Sequence, residues 1–335
     1  ALTAIDIALD ANVNINDSCN AFFSGFELSI NFFTSGSQCN NTAFSSVVVH
    51  EYGHFILNQL GVAQAEFGEG YADVCSMLVF DDPVVGRNFL TNGGPVRNPI
   101  AADLTFPCSP GPSVHTCGQV LGALWWEIRE NMGTTPDDPQ GLEMARQLFG
   151  EWSLITEGGI GTPLVDGQSA HPGTAIELLV ADDDDGNIEN GTPNYDAICA
   201  ALGNRNIDCP DLVLLSINTQ EDEYGFVPAQ AGVQVSVTIE EVAGEIEPGT
   251  AQLFTSVDGA PFQSQPLTPE SGDTFTGILP AVQCNSSIDY YFAVQEISGQ
   301  ILTEPDDAPS QTLSVTAAEE VLTPVQTAFE VDASG

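Results

Sequence analysis

Apolar residues recur along this chain with two different periods, and the period changes once. From about residue 1 to 210 the spacing is helical. Ser45 to Leu60 carries apolar side chains one helical turn apart and stops at Gly61, a residue suited to the left-handed turn that ends helices. Residues 66–80 and 116–132 read as further buried helices, and 138–155 as an amphipathic one. Ala21 to Phe33 alternates apolar and polar positions around Ser24-Gly25, which predicts a short β-ribbon. Beyond Cys209-Pro210 the period becomes two: Val233 to Ile239, Ala251 to Ser256 and Asp289 to Val294 are strand-like runs. Turns rich in Gly, Pro, Ser and Asp separate such runs at intervals of roughly 8–12 residues. The pattern predicts an α+β chain: a mainly helical domain with a short β edge ribbon over 1–210, then an all-β sandwich of the Ig or fibronectin-III-like kind over 211–316. Residues 317–335 read as a linker or the opening of a further module.

Composition narrows the partners. The 335 residues are 42% hydrophobic, enough for one large core or two ordinary ones. No apolar run reaches the length of a membrane span, so membrane insertion is not expected. There are 47 acidic residues against five arginines, with no lysine, for a net charge of -42. Nucleic acid and anionic lipid, both polyanions, are poor partners for such a surface. It suits salty water or a load of divalent cations, so a marine or otherwise saline extracellular setting is expected. The sequence begins at Ala1, which reads as a mature or trimmed product of secretion.

Eight cysteines without a CxxC pair argue against a structural zinc knuckle. Their spacing suggests three local disulfides: Cys19 with Cys39, Cys108 with Cys117, and Cys199 with Cys209. Cys75 and Cys284 are left as buried thiols, as partners of each other, or as partners of something outside the chain. Local pairing points to an oxidising compartment.

The chemistry concentrates in His50-Glu51-Tyr52-Gly53-His54, which holds two of the four histidines. On a helix, residues i and i+4 share a face about 6 Å apart, so both imidazoles can reach one ion. Glu51, one step round, can then act as base toward a water activated by that ion, as zinc-dependent amide hydrolysis requires. Fifteen residues beyond His54, Phe67-Gly68-Glu69-Gly70-Tyr71-Ala72-Asp73 offers a third ligand, Glu69. Asp73, again four residues on, can accept a hydrogen bond from the far nitrogen of a ligand histidine, His50 by preference, and so orient it.

His-Glu-Tyr-Gly-His followed by Gly-Glu-Gly-Tyr-Ala-Asp resembles the gluzincin metallopeptidases, the thermolysin-like and fungalysin-like enzymes. Three further stretches are similar to family segments, in family order, so that the resemblance covers about residues 18–130. Asn20-Ala21-Phe22-Phe23-Ser24-Gly25 resembles the edge strand that holds the substrate backbone. Arg97-Asn98-Pro99 resembles the segment whose arginine contacts the substrate carbonyl beside the scissile bond. Val114-His115-Thr116-Cys117-Gly118 resembles the segment carrying the transition-state histidine. The resemblance implies a zincin-type fold and peptide or protein substrates captured as an added strand at Asn20 and Ala21. It also implies Glu51 as catalytic base, and His115 with Arg97 as oxyanion stabilisers. Two features depart from the family: the segment between His54 and Glu69 is short and lacks a tyrosine, and only about twenty residues precede Asn20 where a large β-rich lobe is usual. The expectation is either a minimal front lobe or one removed upstream.

A second cluster, Asp182-Asp183-Asp184-Asp185-Gly186-Asn187-Ile188-Glu189, groups carboxylates around a glycine turn and suits Ca2+ through Asp182, Asp183, Asp184, Asp185, Asn187 and Glu189. It is not an EF-hand, because that register puts Ala181 and Thr192 at the first and last ligand positions. A solvated charge run is the alternative. His171, followed by Pro172, reads as structural. The functional expectation is therefore a secreted zinc endopeptidase whose β-sandwich serves attachment to a cell surface or matrix. A catalytically idle adhesive protein and an aminopeptidase are the competing readings.

Overall fold

A computed structural model describes residues 5–109, 113–135, 138–158, 168–219 and 225–319. The chain separates into two compact units, Ala1–Asp211 and Leu212–Gly335.

The first unit opens with a three-stranded sheet, β1 (Asp10–Ser18), β2 (Ala21–Ser24) and β3 (Ser29–Thr34), in the order β1-β3-β2. β2 and β3 are the expected ribbon, with Ala21 opposite Phe32 and Ser24 opposite Ser29. β1, which the pattern did not announce, runs parallel to β3. This order leaves β2 at an edge of the sheet.

Seven α-helices follow among the described residues: α1 (Ser45–Leu60), α2 (Ala65–Phe80), α3 (Pro99–Ala102), α4 (Val114–Asn131), α5 (Pro139–Ser153), α6 (Pro172–Asp182) and α7 (Tyr195–Asn204). Gly61 ends α1 with φ 74, its N–H donating to Asn58 O. Asp138 caps α5 through Gln140 N, and His171 caps α6 through Gly173 N. The sequence pattern places α1, α2, α4 and α5 within two residues of their observed ends, and it does not announce α6 or α7. α4 begins two residues earlier than expected, so His115 lies in its first turn rather than in the loop before it.

One core joins these helices through Tyr71 of α2, Leu121 and Trp125 of α4, Trp152 of α5, Leu178 of α6 and Ile198 of α7. Two close approaches set how near the helices come. A Cβ on Gly53 of α1 would lie 2.7 Å from Ala72 Cα of α2, and one on Gly70 of α2 would lie 2.6 Å from Gly118 O of α4. Only hydrogen fits at these crossings, so the backbones carrying His50, Glu69 and His115 can close on one another.

The second unit is built from β4–β13. Strands β4 (Leu215–Thr219), β6 (Val233–Glu241), β10 (Thr274–Leu279) and β9 (Thr268–Pro269) form one sheet, in that order. A second sheet runs β5 (Phe226–Pro228), β13 (Leu313–Ala318), β11 (Ser287–Gln295), β7 (Gln252–Val257) and β8 (Gln263–Pro266), with β12 (Ile301–Glu304) also on β11. Val237 and Ile239 from the first sheet and Leu253, Phe292 and Val315 from the second share one core, as in a sandwich. β13 extends to Ala318, two residues into the stretch read as a linker; residues 320–335 lie outside the described residues. All five arginines belong to the first unit, so the second carries acidic groups without a single Lys or Arg.

The three expected disulfides are present, Cys19–Cys39, Cys108–Cys117 and Cys199–Cys209. Cys75 and Cys284 are both free, which removes the option of their pairing with each other. No helix among the described residues is long and apolar enough to cross a membrane.

Candidate metal centre and substrate cleft

The buried face of α1 carries His50 and Glu51 beside Val47, Gly53, Phe55 and Leu57. Burying two titratable side chains is unfavourable unless each finds a partner, so their partners define the site. His50 Nδ1 lies 2.8 Å from Asp73 Oδ1, and Asp73 is fully buried. A carboxylate only accepts, so the ring donates from Nδ1 and leaves Nε2 as the nitrogen that can take a proton or a metal.

His54 is oriented in the same way by a residue the sequence pattern did not single out. Gln64 Nε2 donates to His54 O at 3.1 Å, which fixes the amide and turns Oε1 toward the ring. Oε1 then accepts from His54 Nδ1 at 2.8 Å. Both Nε2 atoms therefore face inward, 3.2 Å from each other. Glu69 closes the triangle, with Oε2 at 3.5 Å from His50 Nε2 and Oε1 at 3.6 Å from His54 Nε2. Glu69 Oε2 is buried and accepts no hydrogen bond.

One ring nitrogen of each histidine and one oxygen of Glu69 lie within 4.8 Å of one another, close enough for all three side chains to reach one ion at Zn–N and Zn–O distances of about 2.0–2.2 Å. The residues present thus fit a zinc ion in size, ligand type and outer hydrogen bonds. The electrostatics describe the same gap. Burial lowers the affinity of His50 for a proton, but the carboxylates of Asp73 and Glu69 outweigh it and raise the pKa to about 9. Burial and the neighbouring His50 push His54 down to about 4. Two imidazoles facing each other at this distance accommodate one cation between them, a proton or a metal.

Arg97 lines the cleft, but two of its nitrogens are committed elsewhere. Nε and Nη2 donate to Asp73 Oδ2 and Oδ1 at 2.7 and 2.8 Å. Nη2 also lies 3.3 Å from His50 Nδ1 and 3.5 Å from Glu69 Oε2. Its first task is to hold Asp73 charged: burial pushes that carboxyl up, and Arg97 with His50 overcomes this and keeps it well below the usual range. Nη1 makes none of these bonds.

Glu51 faces the same cavity, and burial lifts its carboxyl to about 7. His115, from the first turn of α4, has its side chain half exposed and its Nε2 3.4 Å from Glu69 Oε1. The cavity measures about 640 Å³. Asn20 and Ala21 at the free edge of β2 form one wall, His50, Glu51, His54 and Glu69 the floor, and Val47, Val85, Phe89 and Val96 an apolar side. Every candidate the sequence assigned to zinc, catalysis or substrate therefore lines this cleft, except Asp73, which sits behind His50.

The acidic segment lies apart from it. Asp183, Asp184 and Asp185 can bring one oxygen each within 4.8 Å of the others. Asp182 is turned away, at the end of α6, accepting from Thr192 Oγ1, Asn194 N and Asn194 Nδ2. Asn187 Oδ1 accepts from Glu189 N, and Asp183 and Asp185 accept from backbone amides of their own turn. Much of the expected ligand set for Ca2+ is thus engaged in closing the loop. His171 Nδ1 accepts from Gly173 N, which gives that residue the structural task expected of it.

A comparison with protein-family models gives no match, and no curated protein matches the chain. Among solved structures, a superoxide reductase (neelaredoxin) from Ignicoccus hospitalis aligns with 30% of this chain and 79% of its own, at 15% identity and a TM-score of 0.21. A likeness that low carries no argument about fold or chemistry.

Proposed function

We propose that this chain is a secreted zinc-dependent endopeptidase of the gluzincin, zincin-fold type. The observation that carries the reading is the convergence of His50 Nε2, His54 Nε2 and Glu69 within 3.2–3.6 Å, with both Nδ1 atoms held from behind. The chemistry an ion would supply there is Lewis acidity, which polarises a carbonyl and lowers the pKa of water toward ~7.

The chain's own residues account for the remainder. The free edge of β2 at Asn20 and Ala21 receives an extended peptide by strand addition. The apolar wall of Val47, Val85, Phe89 and Val96 accepts an apolar side chain beside the bond to be cut. Glu51, buried and raised to about 7, is poised to take the proton of the attacking water and return it to the leaving amine. His115, reaching the cleft from α4, donates to the oxygen on which negative charge develops, an effect worth about 3–4 kcal/mol per donor. Arg97 secures Asp73 and through it the ring of His50. The three disulfides suit an oxidising extracellular setting, and the β-sandwich is assigned to attachment at a cell surface or matrix.

The test is Glu51→Gln, which keeps shape and removes the base. Zinc stoichiometry stays at one, while cleavage of casein or gelatin falls by about 10²–10⁴-fold. Quenched peptides with blocked and free N-termini are cut alike, which an aminopeptidase would not do. A wild-type protein that binds zinc yet cleaves no more than Glu51→Gln in every assay is an idle scaffold, and the enzyme reading fails.

A further inference from the structure

Gln64 ends the loop before α2, at the N-cap position, and its side chain folds back to α1 rather than capping α2. Both ends of its amide are used on one residue: Nε2 donates to His54 O at 3.1 Å and Oε1 accepts from His54 Nδ1 at 2.8 Å. The amide therefore grips backbone and ring together and leaves the imidazole no freedom to turn. Space for it comes from Gly68, one turn into α2, where a Cβ would stand 2.7 Å from Gln64 Oε1 and 3.3 Å from Gln64 Cβ. Gly68 sits directly before Glu69, so the same short segment supplies a ligand and the room for another ligand's support.

From this pairing we infer that Gln64 is the positioning residue of His54, and that Gly68 is glycine so that Gln64 can reach it. The inference rests on the zinc reading above and adds to it an asymmetry. His50 is backed by a buried carboxylate, itself clamped by Arg97, whereas His54 is backed by a neutral amide. A carboxylate behind an imidazole strengthens its donor nitrogen more than an amide does, so His54 is the weaker of the two nitrogen ligands and depends more on being held in place. Gln64 also lines the cleft, but both hydrogen bonds of its amide go to His54, so its hold on the ion runs through that ring.

Three variants and two readouts separate this role from packing. Gln64→Met keeps the length of the stem and removes the acceptor. Gln64→Glu keeps the acceptor and loses the donor. Gly68→Ala leaves Gln64 in place but pushes its flexible end aside, while improving the helix propensity of α2. Zinc affinity is measured by competition with a chromophoric chelator, and thermal unfolding is measured on the same proteins stripped of metal. The expected result is zinc binding about 10–100-fold weaker in Gln64→Met and in Gly68→Ala, and within about 3-fold of wild type in Gln64→Glu. The metal-free melting temperature of Gly68→Ala should be no lower than that of wild type. The inference is overturned if Gln64→Met binds zinc as tightly as wild type. It is equally overturned if Gln64→Met and Gln64→Glu weaken binding alike, or if the loss in Gly68→Ala tracks a loss of metal-free stability. A wild-type protein that binds no zinc overturns the metal reading and this inference together, whereas tight wild-type binding with an indifferent Gln64→Met overturns this one alone.

Discussion

Asp73 ties the first unit's stability to its chemistry, and its substitution has a calculable cost. The carboxylate is fully buried and receives three donors: Arg97 Nε at 2.7 Å, Arg97 Nη2 at 2.8 Å and His50 Nδ1 at 2.8 Å. Asp73→Asn preserves the shape but turns an amide NH2 toward the Arg97 donors and deletes the charge that faces them. The carboxylate then nearest to Arg97 is Glu69, at 3.5 Å. Removing one member of a buried ion pair costs about 3–5 kcal/mol, because the partner stays buried and uncompensated. Equilibrium urea unfolding of metal-free protein, followed by tryptophan fluorescence, reads this cost. All three tryptophans lie in α4 and α5, so the signal reports the first unit. Arg97→Met in the same background should recover at least 1 kcal/mol, since the double variant buries neither charge. A loss below about 1 kcal/mol for Asp73→Asn, or strictly additive losses in the double variant, would refute the argument that this pair anchors the site.

Other outcomes follow from the same contacts. Gly53→Val places a branched side chain against Ala72 Cα, only 2.7 Å from the position of its Cβ. α1 and α2 must part, so we expect a loss of about 1–3 kcal/mol in thermal unfolding together with weaker zinc binding. His171→Ala removes the cap of α6 and costs about 1 kcal/mol, while His171→Asn keeps it. His171 also carries a pH signature. Burial holds its pKa below the ordinary 6.5, so its contribution is complete above that pH and is lost as acid passes down through the folded-state value. Stability measured against pH should fall less steeply below 6.5 in His171→Asn than in wild type.

How much of this was legible in the sequence depended on whether a residue's partner lies one helical turn away. His50, Glu51 and His54 share one helix, and Glu69 and Asp73 another, so their relations follow from the helical period alone. The disulfides were legible because each closes a loop of at most 20 residues. Gln64 was not, since its bond to His54 crosses from one helix to the start of the next, and neither propensity nor spacing encodes the backward fold of a side chain. Gly68 was the available signal: a glycine inside a helix that has no left-handed turn to make is there for room. β1 was missed although Ala11, Val13 and Ile15 alternate with asparagines: the strand is almost wholly exposed, so its alternation marks no buried face. α6 was missed for another reason: its cap is a histidine, outside the usual Ser, Thr, Asp and Asn. Asp182 looked like one more member of an acidic cluster. Only the fold shows its carboxylate turned to Thr192 and Asn194.

The central claim is that His50, His54 and Glu69 hold one zinc ion in the cleft beneath the edge of β2. Anomalous diffraction at the zinc absorption edge, on crystals of the protein as purified or reconstituted with one equivalent of zinc, tests it most directly. The account predicts a single strong peak about 2.0–2.2 Å from His50 Nε2, His54 Nε2 and a Glu69 oxygen, with none at Asp183–Asp185. A strong zinc peak elsewhere in the chain, with the space between His50 and His54 empty, would contradict it.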